Sequence, residues 1–248
     1  MYCQTRSLLT KNDHEFIART IGRTEKEYSS LIQLIDDPET ETDLLHDKRL
    51  FERSMTVPPL FLSISPQLFF YVFVYQALDR KKIADDDLVD YIAGICVEFR
   101  SSKPLWQLSS KDDRTIYLVD LLNLMGDLDQ QQQYHLRRHI GNVTLFLTGF
   151  FPDFIFKRNK NIGAPPIAYY EKIGTAQFET AANQSSKFDE NAGPVLSTLA
   201  ERFVEIRMAI NLFADAYLAL NNKKHSIEMI ERQSATLDEE SFRQSLEM

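Results

Sequence analysis

The stretch "VLSTLAERFVEIRMAINLFADAYLAL", residues 195–220, decides the fold class. Its apolar residues Val195, Leu199, Phe203, Ile206, Ile210, Phe213, Tyr217 and Leu220 recur at steps of 4, 4, 3, 4, 3, 4 and 3. A strand returns a side chain to one face every second residue, whereas a helix does so after three or four. The spacing therefore predicts a helix of about seven turns with one apolar seam, the kind that packs along a bundle. Gly193 and Pro194 stand at its start.

The same period recurs outward from this seam, and alternating β-branched runs are almost absent. A first helix opens at Asn12 or Asp13 and carries Phe16, Ile17, Ile21, Tyr28, Leu31, Ile32 and Ile35 until "DDPET" stops it. A polar helix is expected over 43–54 and an apolar one over 66–80, the latter greasy on most sides and therefore buried. "ADDDLVDYIAGICVEFR" gives a helix with an acidic first turn, and another follows from Asp112 or Asp113 to Met125. "GDLDQQQ" turns or bends the chain into "YHLRRHIGNVTLFLTGFFP" over 134–152, and "KRNKNIGAPP" closes that unit. A further helix runs over 166–184. The expected fold is all-α: one bundle-like domain over 1–222 with about seven to nine helices. Its core comes from the segments opening at Pro66, Asp85, Asp113, Tyr134, Pro166 and Gly193, with the N-terminal helix packed across it. Residues 223–248 form a polar tail in which "HSIEMIERQ" is a short helix.

Composition narrows the function classes. With 44% apolar and 26% charged residues the chain is globular rather than disordered. A net charge of −8 opposes nucleic-acid binding, which draws its affinity from cations that displace counterions from phosphates. Cys3 and Cys96 are the only cysteines, one terminal and one inside an apolar pattern, which implies a reducing compartment. "MYCQTRSLLTKNDHE" lacks the apolar core of a signal peptide, so a cytoplasmic location is expected. "SMTVPPLFLSISPQLFFYVFVYQAL", residues 54–78, is uncharged, but Pro58, Pro59 and Pro66 divide it into a loop and a buried helix rather than a membrane span.

Within the 134–152 segment, His135 and His139 lie one helical turn apart on one face, and Asn142 and Phe146 continue the stripe. Two imidazoles at that spacing can meet one ion. A zinc site needs three or four ligands and a di-iron bundle needs carboxylates from several helices. Asp120 and Asp127 on the preceding helix, and Glu171 and Glu179 on a later one, are the carboxylates available. The metalloenzyme alternative is therefore iron, manganese or zinc held by His135, His139, Asp120 and Glu171; the same carboxylates are equally able to pair with Arg100, Arg137, Arg138 or Lys172.

Two helices carry small residues at helical spacing, Gly141, Thr144, Thr148 and Gly149 on one and Gly174, Thr175, Ala181 and Ala182 on the other. Glycine inside a helix costs about 1 kcal/mol relative to alanine, so it marks close approach of another element. A tight crossing is expected, with a cavity for a flat or elongated apolar ligand as the alternative. Arg207, Asn211 and Asp215 form a ladder beside the long seam, either solvent-facing support or the polar border of a pocket. A ligand site would then draw on His139, Asn142, Phe146, Arg207 and Asn211. No nucleophile elbow, phosphate loop or dinucleotide fingerprint is present.

The segments "ISPQLFFYVFV", "YLVDLLNLMGD", "RRHIGNVTLFLTGFFPD" and "YYEKIGTAQFETAA" together resemble a group of uncharacterised bacterial all-helical proteins in which SP-x-x-FF, HxGN-x-x-LF-x-x-G-x-FP and YY-x-x-x-G segments recur. The resemblance covers residues 54–220 and implies a bacterial origin and a single helical domain, with no activity or site residue to carry over.

The leading expectation is a non-catalytic protein with no cofactor that binds a protein partner or a small apolar ligand. "FLTGFFPDFIF", residues 146–156, supplies more large apolar groups than a helix end needs unless something covers them, and a homodimer is the simplest cover.

Overall fold

The structure, a computed structural model, describes residues 5–56, 64–99 and 118–221, without the side chains of Phe213 and of 215–221. The described residues form twelve α-helices and no strand, in one all-α arrangement. In chain order these are α1 (Lys11–Ile21), α2 (Glu25–Leu34), α3 (Pro38–Leu45), α4 (Lys48–Thr56), α5 (Pro66–Asp79), α6 (Asp86–Phe99), α7 (Leu118–Asn123), α8 (Gln130–Phe150), α9 (Pro152–Ile162), α10 (Ile167–Phe188), α11 (Gly193–Glu201) and α12 (Phe203–Asn221). The C-terminal tail, Cys3, Trp106 and the cap expected at Asp112 or Asp113 lie outside the described residues.

The count exceeds nine because the chain breaks where continuous helices were expected. The N-terminal helix divides at Gly22, where a Cβ would sit 2.8 Å from the Ala18 carbonyl oxygen and 3.0 Å from the Tyr28 nitrogen. Thr24 then starts α2 by accepting from the Glu27 nitrogen at 3.2 Å. "DDPET" is a start as well as a stop: Asp37 caps α3, with Pro38 in the first helical position.

The long seam is also broken, at Arg202, whose φ of −116° and ψ of 22° are not helical. Steps of four overshoot a full turn by about 40°, so Val195, Leu199 and Phe203 drift around one straight cylinder. The break resets that drift, and Leu199, Phe203, Ile206 and Ile210 are all buried.

At the centre, α5 and α6 are buried on most sides: Leu68, Tyr71–Val74, Ala77 and Leu78 on one, and every residue from Leu88 to Cys96 on the other. Pro66 opens α5 behind Ser65, whose hydroxyl accepts from the Leu68 nitrogen at 3.2 Å. The tight crossing expected between the two small-residue helices is that of α8 and α10. The ring of Phe178 fills the space beside Gly141, while Phe203 and Thr144 fill the space beside Gly174. Helix α12 lies against α8, where Gly149 admits Ile210.

Two buried carboxylates tie the N-terminal helices to this centre. Asp13 accepts from the Thr10 nitrogen at 2.7 Å and from the Ser65 nitrogen at 2.7 Å. Asp90 accepts from the Arg6 nitrogen at 2.9 Å, while its carbonyl oxygen accepts from the Thr5 hydroxyl at 3.0 Å. Burial pushes the Asp90 carboxyl above the usual carboxylate range. Among the described residues, no helix is long and apolar enough to cross a membrane.

Candidate functional site

Helix α8 carries most of the residues that the sequence singles out. Asp129 opens it through a capping box with Gln132, so the polar "DQQQ" turn that precedes the histidines belongs to the helix start. One stripe of α8 then bears His135, His139, Asn142 and Phe146. The two imidazoles part company on it. His135 is exposed, its ring edge-on to Tyr134 at 5.5 Å. His139 tucks under Phe99 with ring centroids 5.8 Å apart, and its Nε2 is buried with no hydrogen-bond partner among the described residues. Desolvation holds both imidazoles below their ordinary pKa, so the charged form is disfavoured at each. Asn142 accepts from the Tyr91 hydroxyl at 3.0 Å, and Phe146 is part of the main core beside Phe99, Phe150 and Phe151.

The carboxylates proposed for a metal are not beside these rings as a set. Leu121 turns α7 inward against Leu136 and Ile140, which leaves Asp120 exposed. Glu171 is buried on α10 and accepts from Nε of Arg207 at 2.7 Å. Among the described residues no group of three or more His, Cys, Asp or Glu side chains is placed to hold a metal ion.

Arg207 and Asn211 are buried rather than solvent-facing, at 2% and 5% exposure. Glu171, considered as a metal ligand, and Arg207, considered as a ligand-binding cation, are thus each other's partners. Asn211 lies one turn further along α12, and its Nδ2 finds no hydrogen-bond acceptor among the described residues.

Sequence reasoning did not single out a second ion pair, which is part-buried. Arg138 donates to Asp189 at 3.0 Å, and its guanidinium lies 5.7 Å from the Tyr91 ring centroid and 5.5 Å from that of Tyr134. The signal was the i, i+4 series Tyr134, Arg138, Asn142, which places an arginine on the face that α6 and the end of α10 cover.

The aromatic run 146–156 divides by position. Phe151 ends α8 and begins α9, with φ −130° and ψ 44°, so the chain turns sharply and Pro152 starts a new helix. The basic segment expected to close the unit is helical through Ile162 and forms the second half of α9, stopped by Gly163 at φ 65°, where the left-handed conformation favours glycine. Of its apolar residues α9 buries only Ile155; Phe154, Phe156 and Ile162 are 49%, 59% and 67% exposed, and Phe151 is 47% exposed. One residue of helix turns through about 100°, so Phe154 and Phe156 flank the buried Ile155 on opposite sides. Arg158 lies over the Phe154 ring at 5.4 Å. Lys157, Arg158 and Lys160 oppose the single Asp153 on α9, a local positive charge on a chain of net −8.

No known protein family, curated protein or solved structure matches the chain.

Proposed function

We propose that the chain is a non-catalytic, cytoplasmic binding protein that docks a partner protein on α9. The observation that carries this reading is the inverted economy of that helix: it buries one apolar side chain and leaves Phe154, Phe156 and Ile162 about half or more in water. Removing each from water in a complex contributes about 1 kcal/mol, half of what full burial of such a side chain gives. Aromatic anchors flanked by arginine and lysine are the composition of an interface hot spot with a charged rim. Deeper in the fold, Arg207–Glu171, Arg138–Asp189 and Tyr91–Asn142 join neighbouring helices.

Phe154 and Phe156 on opposite sides of α9, with Lys157, Arg158 and Lys160 beside them, define the partner's chemistry: an apolar cleft that grips the helix from both sides and is rimmed by acidic residues. Two copies meeting α9 on α9 would set these cations against each other. The test is capture of a protein on wild-type chain, its identification, and its affinity for Phe154→Ser with Phe156→Ser and for Lys157→Glu with Lys160→Glu. The reading expects the first pair to abolish binding, and the second to weaken it and remove its salt dependence. Equal binding by the serine pair overturns the reading, as does native mass spectrometry that finds a bound small apolar molecule in place of a protein.

A further inference from the structure

Helix α10 presents a second face that no described residue covers. Ala168, Lys172, Ala176, Glu179 and Asn183 are all exposed and recur at steps of 4, 4, 3 and 4, so they form one stripe along the helix. Between this stripe and Val204 of α12 runs a shallow groove of about 470 Å³, floored by Ala168, Thr175, Ala176 and Val204. Glu171 borders the groove, but Arg207 already balances its charge at 2.7 Å, so the floor behaves as apolar surface. Lys172 and Glu179 have no ion-pair partner among the described residues.

The charges on this stripe are arranged symmetrically. Lys172 lies as far before the Thr175–Ala176 peptide as Glu179 lies after it. A helix laid antiparallel on its own copy about that peptide brings each lysine opposite the other copy's glutamate. Parallel pairing would instead set lysine beside lysine and glutamate beside glutamate. In a twofold interface each residue contacts its counterpart's partner reciprocally, so one complementary pair is made twice. The small side chains at the centre let two helices approach to about 8 Å.

We propose that α10 pairs antiparallel with α10 of a second copy of this chain, across a twofold axis at the Thr175–Ala176 peptide, with Lys172 of each copy facing Glu179 of the other. The stripe from Ala168 to Asn183 is about 23 Å long, which makes this a helix-on-helix contact of the small, concentration-dependent class. It is a separate surface from α9 and does not rest on the partner proposed there.

The experiment is sedimentation equilibrium of the full chain, alone and as variants, with circular dichroism to show that each exposed-site variant is folded. Wild type is expected to dimerise. Lys172→Glu and Glu179→Lys each replace two attractions by two repulsions and weaken the dimer about tenfold. Mixing those two variants restores complementary pairs and yields a heterodimer as tight as wild type, as does the double exchange within one chain. Raised salt weakens wild type and relieves the single variants. A chain that stays monomeric at millimolar concentration overturns the proposal. A dimer indifferent to both reversals also overturns it, and one lost only with Phe154→Ser plus Phe156→Ser assigns self-association to α9 instead.

Discussion

Arg207 Nε and Glu171 Oε1 lie 2.7 Å apart, with the two side chains 3% and 5% exposed, so an ion pair is sealed between α12 and α10. The interior attraction offsets a desolvation cost that either charge alone would bear in full. Removing one partner, as in Arg207→Ala or Glu171→Ala, is expected to cost about 3–5 kcal/mol, whereas Arg207→Met with Glu171→Leu together costs far less than the sum. Guanidinium unfolding of the three variants measures this. Additive losses would show that the two residues act separately.

The α8–α10 crossing makes a second prediction. A Cβ at Gly141 would lie 2.6–2.8 Å from three ring atoms of Phe178, and one at Gly174 would meet Phe203 and Thr144. Each alanine substitution there is expected to destabilise by about 1–3 kcal/mol, since both rings are fully buried and must shift within the core. Among the described residues Gly126 has nothing within 4 Å of a Cβ, and Gly126→Ala is expected to change stability little or raise it. Thermal unfolding is expected to show a lowered midpoint for Gly141→Ala and Gly174→Ala but not for Gly126→Ala; no loss at the first two would contradict this packing.

On α9, position decides the effect of truncation. Ile155→Ala is expected to cost about 2–5 kcal/mol, and Phe154→Ser or Phe156→Ser within about 0.5 kcal/mol, although phenylalanine is the larger residue. Denaturant midpoints for the three, read beside their solubility, check this.

The pH dependence follows from His139. Desolvation lowers its folded pKa below the ordinary 6.5 of the unfolded chain. Above that pH the ring is neutral in both states. As pH falls through 6.5 the unfolded chain takes up a proton that the folded chain resists, so stability is lost on acidification until the folded pKa is reached. His139→Gln is expected to flatten that part of the stability curve, and His135→Gln to flatten it less, because its ring is exposed. Unfolding free energies on either side of that pH provide the measurement; an unchanged slope in His139→Gln would show that other groups carry it.

Much of the fold is legible residue by residue. Ser65-Pro66 and the apolar periodicity of α5, α6, α8 and α10 place those helices closely, because local chemistry and burial agree there, while the capping box of Asp129 with Gln132 starts α8 inside a stretch that reads as a turn. The breaks were harder. Thr24 with Glu27 is a capping signal inside a pattern that otherwise reads as continuous, and the break at Arg202 lets α11 lie along α10 and α6 while α12 lies along α8 and α5. Helix α9 carries Pro152 at its first position and Gly163 just past its end, yet its charges make it look like a loop. At the candidate site, Arg207 and Glu171 are each conspicuous in the sequence, but 36 residues separate them and only the crossing of two helices makes them a pair. The aromatic run around Phe150 was recognisable as surplus, while the division between buried Phe146 and exposed Phe156 depends on the turn at Phe151.

The bond from the Thr5 hydroxyl to the Asp90 carbonyl spans 85 positions. During translation at about 5–20 residues per second, its acceptor is made on the order of ten seconds after its donor. Residues 5 and 6 therefore leave the ribosome with their resting place not yet synthesised. The earlier-made segment is among the later ones to settle, and until it does, the flank of α6 around Asp90 stays open to water.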